Sequence, residues 1–349
     1  MNVRVPLCLC ACLCMLMFSA TSKKQGPGKE DLVKYPDLFI IGAQKCGTTS
    51  LNNLLFEHKQ ICSEGVKEKH FYSEHNYEEM VAKYNKEFKD CKPSQLTVDA
   101  TPKYVVGSEI AERIESSYTP ESLAKKKFVL LLRDPVARQY SEYQRGLRIC
   151  FRVIEGDKEL LRPSRVRTVE EKRARAEKNC ELVMRPKTGK ALSKDNAMRF
   201  AEWTVGPFGS MEQARGNYVG QIKHWLGIIK RSQLFILNFQ SLVSNTTDVM
   251  HRLSDFLGIE FEPFLNNPNH TKVVLPQPPP SNSYVTWSPA FMDCKTHDML
   301  ENYYRAQNVG LLSLINDDPR KPTQEPPFPP FVSARSKCKN RETDNLRQR

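Results

Sequence analysis

Short, largely apolar runs recur along this chain, separated by longer stretches in which apolar positions return every three or four residues. The runs are residues 38–41, 97–100, 128–132 and 234–243. A strand covered on both faces has no polar side to show, so such runs predict buried β-strands. The intervening stretches, 48–58, 77–88, 107–115, from 136 onward, 216–229, 247–257 and 296–315, carry a helix-period apolar stripe and predict helices with one buried face. Gly258 closes the 247–257 helix. Strands alternating with helices predict an α/β fold on a central parallel sheet. No internal repeat is present.

The pattern fails in four places, and these set the domain organisation. Residues 1–20 open with Arg4 and the apolar stretch 5–20, long for a signal-peptide core and short of a ~20-residue membrane span. It ends in Phe18-Ser19-Ala20, a small residue without the A-x-A cleavage pattern. A signal peptide or a signal anchor is expected, and either delivers the remainder into the secretory pathway. Residues 21–36 form a polar stem, and 37–315 the folded domain. Within it, residues 148–196 lose periodicity and read as a partly helical surface insertion; seven Lys/Arg face three Glu between 162 and 178. Residues 274–289 are a proline-rich loop, and 316–349, with Pro-Pro-Phe-Pro-Pro, an extended or disordered tail.

Composition adds a partner class. The chain has 349 residues, 40% hydrophobic and 26% charged, as in an ordinary globular protein, but a net charge of +12. Such a surface suits a polyanion: nucleic acid, acidic membrane or acidic polysaccharide. A lumenal address removes nucleic acid from that choice. Of eleven cysteines, Cys8, Cys10, Cys12 and Cys14 lie in the leader. Cys46, Cys62, Cys91, Cys150, Cys180, Cys294 and Cys338 are spaced too widely for a zinc site. One or two bridges are expected in an oxidising lumen, Cys150–Cys180 foremost because the pair brackets the insertion. Two glycosylation triplets, at Asn245 and Asn269, agree with that address.

The candidate chemistry starts in IIGAQKCGTTSL, residues 40–51. A strand entering a glycine turn and then a helix aims backbone N–H groups and the helix dipole at an anion. The glycine spacing is that of a Walker A loop, yet Thr48 stands where its lysine belongs, and the lysine is Lys45, inside the turn. A nucleoside triphosphatase is disfavoured on that ground. Lys45 instead suits charge developing on a bridging oxygen at a 5′-phosphate. Cys46 reads as a small packing residue; Gly47 permits the turn, and Thr48, Thr49 and Ser50 offer hydroxyls in the first helical turn. In LLLRDPVARQYSEY, residues 130–143, a strand ends in Arg133, and Ser141 follows on the next helix. That pair can grip a second phosphate.

These two motifs resemble the 5′-phosphosulfate loop and the 3′-phosphate motif of sulfotransferases that use 3′-phosphoadenosine 5′-phosphosulfate (PAPS). The likeness runs over about residues 38–315 apart from 148–196. It is greatest to the Golgi glycosaminoglycan enzymes, the heparan sulfate N- and 3-O-sulfotransferases and the chondroitin GalNAc-4-sulfate 6-O-sulfotransferases. VKEKHFYSEHNY, residues 66–77, is similar to their K-E-x-x-F-F segment, and VDATPKYV, residues 98–105, to their E-K-[ST]-x-x-Y-F. GNYVGQIKHWL, FLGI and LENYYRAQNVGLLSLI extend the likeness toward the C-terminus.

The resemblance implies a P-loop-like three-layer α/β/α fold and PAPS as co-substrate, without a metal. Lys45, Cys46, Gly47, Thr48, Thr49, Ser50, Arg133 and Ser141 would bind the donor. Glu68 would act as base, with Lys45 stabilising the leaving group and His70, the third catalytic candidate, either supporting these groups or touching the acceptor. It further implies a glycosaminoglycan acceptor, sulfated or not, and a Golgi type II membrane protein, secreted if the leader is cleaved. Two departures stand out. Ala100 replaces a lysine of the heparan sulfate enzymes, with Lys103 as a possible substitute. Their cysteine-bracketed basic loop has no evident counterpart, since residues 276–289 hold no Lys or Arg. A tyrosylprotein or other lumenal sulfotransferase stays open, as does a catalytically silent polyanion-binding protein of the same fold.

Overall fold

The computed structural model describes residues 36–62, 68–73, 77–158, 160, 168–185, 193–261, 292–321, 325–333, 335 and 338. The leader, most of the stem, the Asn269 triplet, the proline-rich loop and the basic residues 162–167 lie outside them. Among the described residues no helix is long and apolar enough to cross a membrane.

Five parallel strands form one sheet in the order β2-β3-β1-β4-β5. They are β1 Leu38–Gly42, β2 Ile61–Cys62, β3 Leu96–Ala100, β4 Lys127–Leu132 and β5 Leu234–Asn238. β1 and β5 are buried along their whole length and β4 beyond its first residue, as their apolar runs require. β2, only two residues long, carries too little pattern to be read from sequence. The run 234–243 is not one strand. It breaks at Asn238, whose carboxamide oxygen accepts the Gln240 N–H at 2.7 Å and starts a helix within the apolar run.

The helices are α1 Thr48–Phe56, α2 Tyr77–Glu87, α3 Ser108–Ser117, α4 Pro120–Leu123, α5 Pro135–Ile154, α6 Val169–Cys180, α7 Phe200–Val205, α8 Pro207–Arg215, α9 Tyr218–Leu226, α10 Phe239–Ser244 and α11 Thr246–Leu257. A C-terminal helix, Cys294–Asn316, follows. The main core surrounds the sheet. A second cluster, Tyr143, Leu147, Phe151, Phe200, Trp203 and Tyr304 among others, lies beneath the far half of α5. Within the expected insertion, α6 opens on a Thr168/Glu171 capping box. Residues 148–154, read as its start, are instead the last turns of α5, with Cys150, Phe151 and Val153 buried.

Cys150–Cys180 is formed, as its bracketing position suggests, and ties α6 to α5. Cys62–Cys91 and Cys294–Cys338 are also formed, one bridge more than the expected one or two, with Cys46 the free thiol among the described cysteines. The tail is extended over residues 325–333, but it is docked rather than free. Phe328 is buried, its N–H donates to Asn316 Oδ1 at 2.6 Å, and Glu325 pairs with buried Arg231 at 2.6 Å. Cys294–Cys338 closes a C-terminal loop that the spacing alone did not reveal.

One buried ion pair joins the first turns of α5 to α8. Arg138 Nη1 donates to Glu212 Oε2 at 3.0 Å, and Nη2 to the Glu212 carbonyl at 2.6 Å, with both side chains almost wholly buried. Removing one partner strands the other charge away from water, so Glu212→Ala should cost about 3–5 kcal/mol. The midpoint of urea unfolding measures this, and a shift equivalent to less than about 1 kcal/mol would contradict it.

Candidate active site

Four segments meet at the C-terminal edge of the sheet: the turn after β1, residue Thr101 after β3, Arg133 after β4, and the segment 68–70. Later strands are added on both sides of β1. That is the switch point where open α/β sheets form a ligand crevice.

The β1 turn is held from beneath. The Ala43 N–H donates to the Leu131 carbonyl at 2.8 Å, and the Cys46 N–H to the Ala43 carbonyl at 3.2 Å. Gly47 has φ 92°, and a Cβ there would stand 2.6 Å from the Phe239 ring, so backbone and space both require glycine. Gly47 caps α1 without a side-chain hydrogen bond, and a helix start of this kind suits an anion. Thr48 is buried, Thr49 exposed and Ser50 half-buried.

Arg133 is bound into the same unit. Its guanidinium lies over Phe239, 4.7 Å from the ring centroid, and Nη1 donates to the Lys45 carbonyl at 3.2 Å. Its own carbonyl accepts from the Tyr218 hydroxyl at 3.0 Å, which sits 3.7 Å from Cys46 Sγ. Burial pushes the Cys46 thiol pKa up, which suits the packing role expected of it. Tyr218 and Phe239 therefore join the two candidate phosphate motifs, and neither carries a sequence signal of that role.

Lys45 adopts a left-handed backbone, φ 69°. Burial lowers its pKa to about 8; Glu142 opposes this, while Arg145, Arg148 and Arg133 push it further down. An ammonium crowded by three guanidinium groups is poorly compensated by the protein itself. A polyanion would relieve that, so the residues fit a phosphate-bearing ligand.

Glu68 and His70 also have positive φ, 63° and 59°. Such backbone in non-glycine residues costs of order 1–3 kcal/mol each and concentrates at functional sites. The Glu68 N–H donates to the Ala100 carbonyl at 3.0 Å, and the His70 N–H to Thr101 Oγ1 at 3.3 Å. Lys69, between them, has a buried side chain paired with Glu87 and 5.3 Å from the Phe88 centroid. Glu68 and His70 remain about two-fifths exposed, Oε2 and Nε2 3.7 Å apart.

Asp99 anchors this segment from below. Fully buried, it accepts hydroxyl hydrogen bonds from Tyr84 (2.5 Å), Thr101 (2.5 Å) and Tyr104 (2.8 Å). Burial raises its pKa and the three hydroxyls oppose the rise. Through Thr101, Asp99 fixes the backbone that presents His70. Ala100 is buried and Lys103 exposed.

On α5, half-buried Ser141 begins a polar face that continues through Arg145 and Arg148, at i, i+4 and i+7. Glu142, nearly buried, accepts from Arg145 Nε at 2.8 Å and also binds Arg145 Nη2. These hydrogen bonds, then the charges of Glu142, Glu212 and Glu68, raise the Arg145 pKa. Arg145 is thus one of the cations that hold the Lys45 pKa down. Its only sequence signal was the four-residue step from Ser141.

The described residues therefore join Lys45 and Arg133 by a hydrogen bond, with Gly47 and Arg133 both against Phe239, and set Glu68 and His70 together on a second segment. A family model described as "Sulfotransferase domain" matches residues 35–284, more than half of the chain. The membrane-associated sulfotransferase kil1 of Dictyostelium discoideum is 24% identical over 84% of this chain and 68% of its own length. Human heparan sulfate glucosamine 3-O-sulfotransferase 6 is 26% identical over 67% of this chain and 55% of its own; the chain thus spans about half the length of that relative. A solved sulfotransferase from Alicyclobacillus acidocaldarius shares the fold, with TM-score 0.50 and 20% identity over 81% of this chain and 96% of that one. On its strands, its anion-seeking turn and the family match, this chain belongs to the sulfotransferase-domain family.

Proposed function

We propose that the protein transfers a sulfuryl group from PAPS to a carbohydrate hydroxyl, with a glycosaminoglycan as the acceptor. The observation that carries this is the placing of Lys45, bonded through its carbonyl to Arg133, at the same sheet edge as the exposed Glu68–His70 pair. The donor supplies the activated sulfuryl group. The first turn of α1 and Lys45 would hold its 5′ side, and Arg133 with Ser141 its 3′-phosphate. The acceptor oxygen forms a bond to sulfur while the bond from sulfur to the 5′-phosphate oxygen breaks. Glu68 takes the hydroxyl proton, and Lys45 meets the negative charge left on that oxygen. The glycosaminoglycan assignment is supported by the acceptor class in the names of the heparan sulfate relatives and by the +12 net charge. Three disulfides and the apolar leader support a lumenal, Golgi setting.

The test is transfer from PAPS labelled with radioactive sulfur, using heparan, chondroitin, dermatan and desulfated polysaccharides and tyrosine peptides in parallel, with binding of adenosine 3′,5′-bisphosphate measured beside it. Label entering a polysaccharide is the expected result. Label entering only tyrosine peptides, or none despite binding of adenosine 3′,5′-bisphosphate, overturns the acceptor assignment.

The Lys45 pKa gives the binding a pH signature. Below pH 8 the ammonium is charged and binds the bisphosphate at full strength; above it, binding must first recover a proton. Affinity should therefore fall above pH 8, approaching tenfold per pH unit, with proton uptake visible by calorimetry in buffers of different ionisation enthalpy. Affinity flat between about pH 7.5 and 9.5 would exclude Lys45 as the anion's partner.

A further inference from the structure

None of the groups assigned to the reaction lies in the C-terminal tail, yet the tail touches the supports of the donor loop at two points. Residues 325–333 fold back along the C-terminal helix and are pinned at both ends. At one end the Glu325 carboxylate pairs with Arg231 at 2.6 Å, and the Phe328 backbone exchanges hydrogen bonds with the Asn316 carboxamide at 2.6 and 3.1 Å. At the other, Ser333 Oγ donates to Glu301 Oε1 at 2.7 Å and stands 3.3 Å from His297 Nε2. Between the pins, the Pro329 carbonyl accepts from Asn238 Nδ2 at 3.4 Å. The half-buried Phe331 ring meets the Tyr218 ring edge-on, with centroids 6.2 Å apart.

These two contacts converge on the loop. Asn238 starts α10, whose first residue, Phe239, lies against both Gly47 and the Arg133 guanidinium. The Tyr218 hydroxyl donates to the Arg133 carbonyl at 3.0 Å and is 3.7 Å from Cys46 Sγ in the β1 turn. A tail that only covered apolar surface could make its contacts anywhere on the core. This one reaches the neighbours of both candidate phosphate motifs. The family match ends at residue 284, so the support comes from beyond the matched domain.

We propose that Phe331 is a positioning residue for the donor loop. With Pro329 it holds Tyr218 and the start of α10 in place, and through them Arg133 and the β1 turn, so that affinity for the donor's bisphosphate depends on the docked tail. This rests on the reading of Lys45, Gly47 and Arg133 as the donor site. Truncating Phe331 opens space beside the buried Tyr218 ring. Movement of that ring into the space draws its hydroxyl from the Arg133 carbonyl and loosens the strand end that carries the guanidinium.

The test is calorimetric titration of the full chain with adenosine 3′,5′-bisphosphate, for wild type, Phe331→Ala, Phe331→Leu, Tyr218→Phe and the double variant Phe331→Ala/Tyr218→Phe. Loss of one aromatic pair changes an equilibrium constant by roughly three- to tenfold, and Phe331→Ala should weaken the bisphosphate by about that factor. Phe331→Leu should recover part of the loss, and it carries the comparison if the alanine variant does not fold. Because Phe331 acts through the Tyr218 hydroxyl, the double variant should bind within about twofold of the weaker single variant rather than show the product of both losses. In steady-state transfer the donor concentration needed for half-maximal rate should rise, while that of the acceptor stays within about twofold. A residue that merely stabilises the fold would lower the melting temperature without this split between donor and acceptor. Bisphosphate affinity of the Phe331 variants within about twofold of wild type, multiplied losses in the double variant, or equal losses for donor and acceptor overturn the inference alone. Wild-type protein that does not bind the bisphosphate overturns the donor-site reading and this inference with it.

Discussion

Lys45→Ala should lower the rate of sulfuryl transfer by roughly 100- to 1,000-fold, about 3–4 kcal/mol of lost charge stabilisation, without lowering the melting temperature. The two halves of that result come from one fact, the burial that brings the Lys45 pKa down to about 8. A folded-state pKa below the unfolded value of 10.5 means that the unfolded chain holds the proton more tightly. Below pH 8 both states are charged, and the native state bears the full cost of the crowded ammonium. As pH rises from 8 to 10.5 the native lysine is neutral first, and the cost disappears. The alanine variant should thus be at least as stable as wild type at about pH 7, with any advantage fading above pH 8. Calorimetric melting beside a single-turnover assay separates the effects. A rate loss below about tenfold, or a rate loss matched by unfolding, would remove Lys45 from the reaction.

The separation of function from stability at Lys45 also marks which parts of this protein could be read from sequence. β1, β4 and the start of β5 were legible because a doubly covered strand has almost no polar residue to confuse the pattern. The end of β5 was not, because Phe239 and Leu242 continue the apolar run after the chain has turned into α10. Only the side chain of Asn238, acting locally, separates the two elements. The loop residues Lys45 and Gly47, and Arg133 after β4, were legible since their chemistry depends on neighbours in the chain. Tyr218 and Phe239 were not, because they reach the loop from far along the chain, 172 residues away in the contact of Tyr218 with Cys46. Periodicity marks both as core residues and says nothing of what they support. Cysteine pairing followed the same division. Cys150 and Cys180 bracket an evident insertion, whereas Cys294 meets Cys338 only because residues 325–333 return along the core.

Glu68 is where this division has its largest consequence. Glu68→Gln keeps the size of the side chain and the backbone bond from its N–H to Ala100, and removes only the ability to accept a proton. A positioned general base contributes typically about 100- to 10,000-fold, so transfer should fall by at least about 100-fold. Bisphosphate affinity should stay within about twofold, because Glu68 lies in the His70 segment and not in the Lys45–Arg133 unit. Glu68→Gly supplies the complementary result. In an ordinary extended or helical position a glycine is destabilising by roughly 0.5–1 kcal/mol through lost chain entropy. At φ 63° the native glutamate already carries left-handed strain of order 1–2 kcal/mol, which glycine does not. The glycine variant should therefore match or exceed wild-type stability while being as inactive as the glutamine variant. An unfavourable backbone at Lys45, Glu68 and His70, all at one sheet edge, is what a site that holds reactive groups in place at the expense of stability would show. Substantial transfer by Glu68→Gln, within about tenfold of wild type, would mean that the acceptor proton leaves by another route and that the strain at residue 68 serves only to place its neighbours.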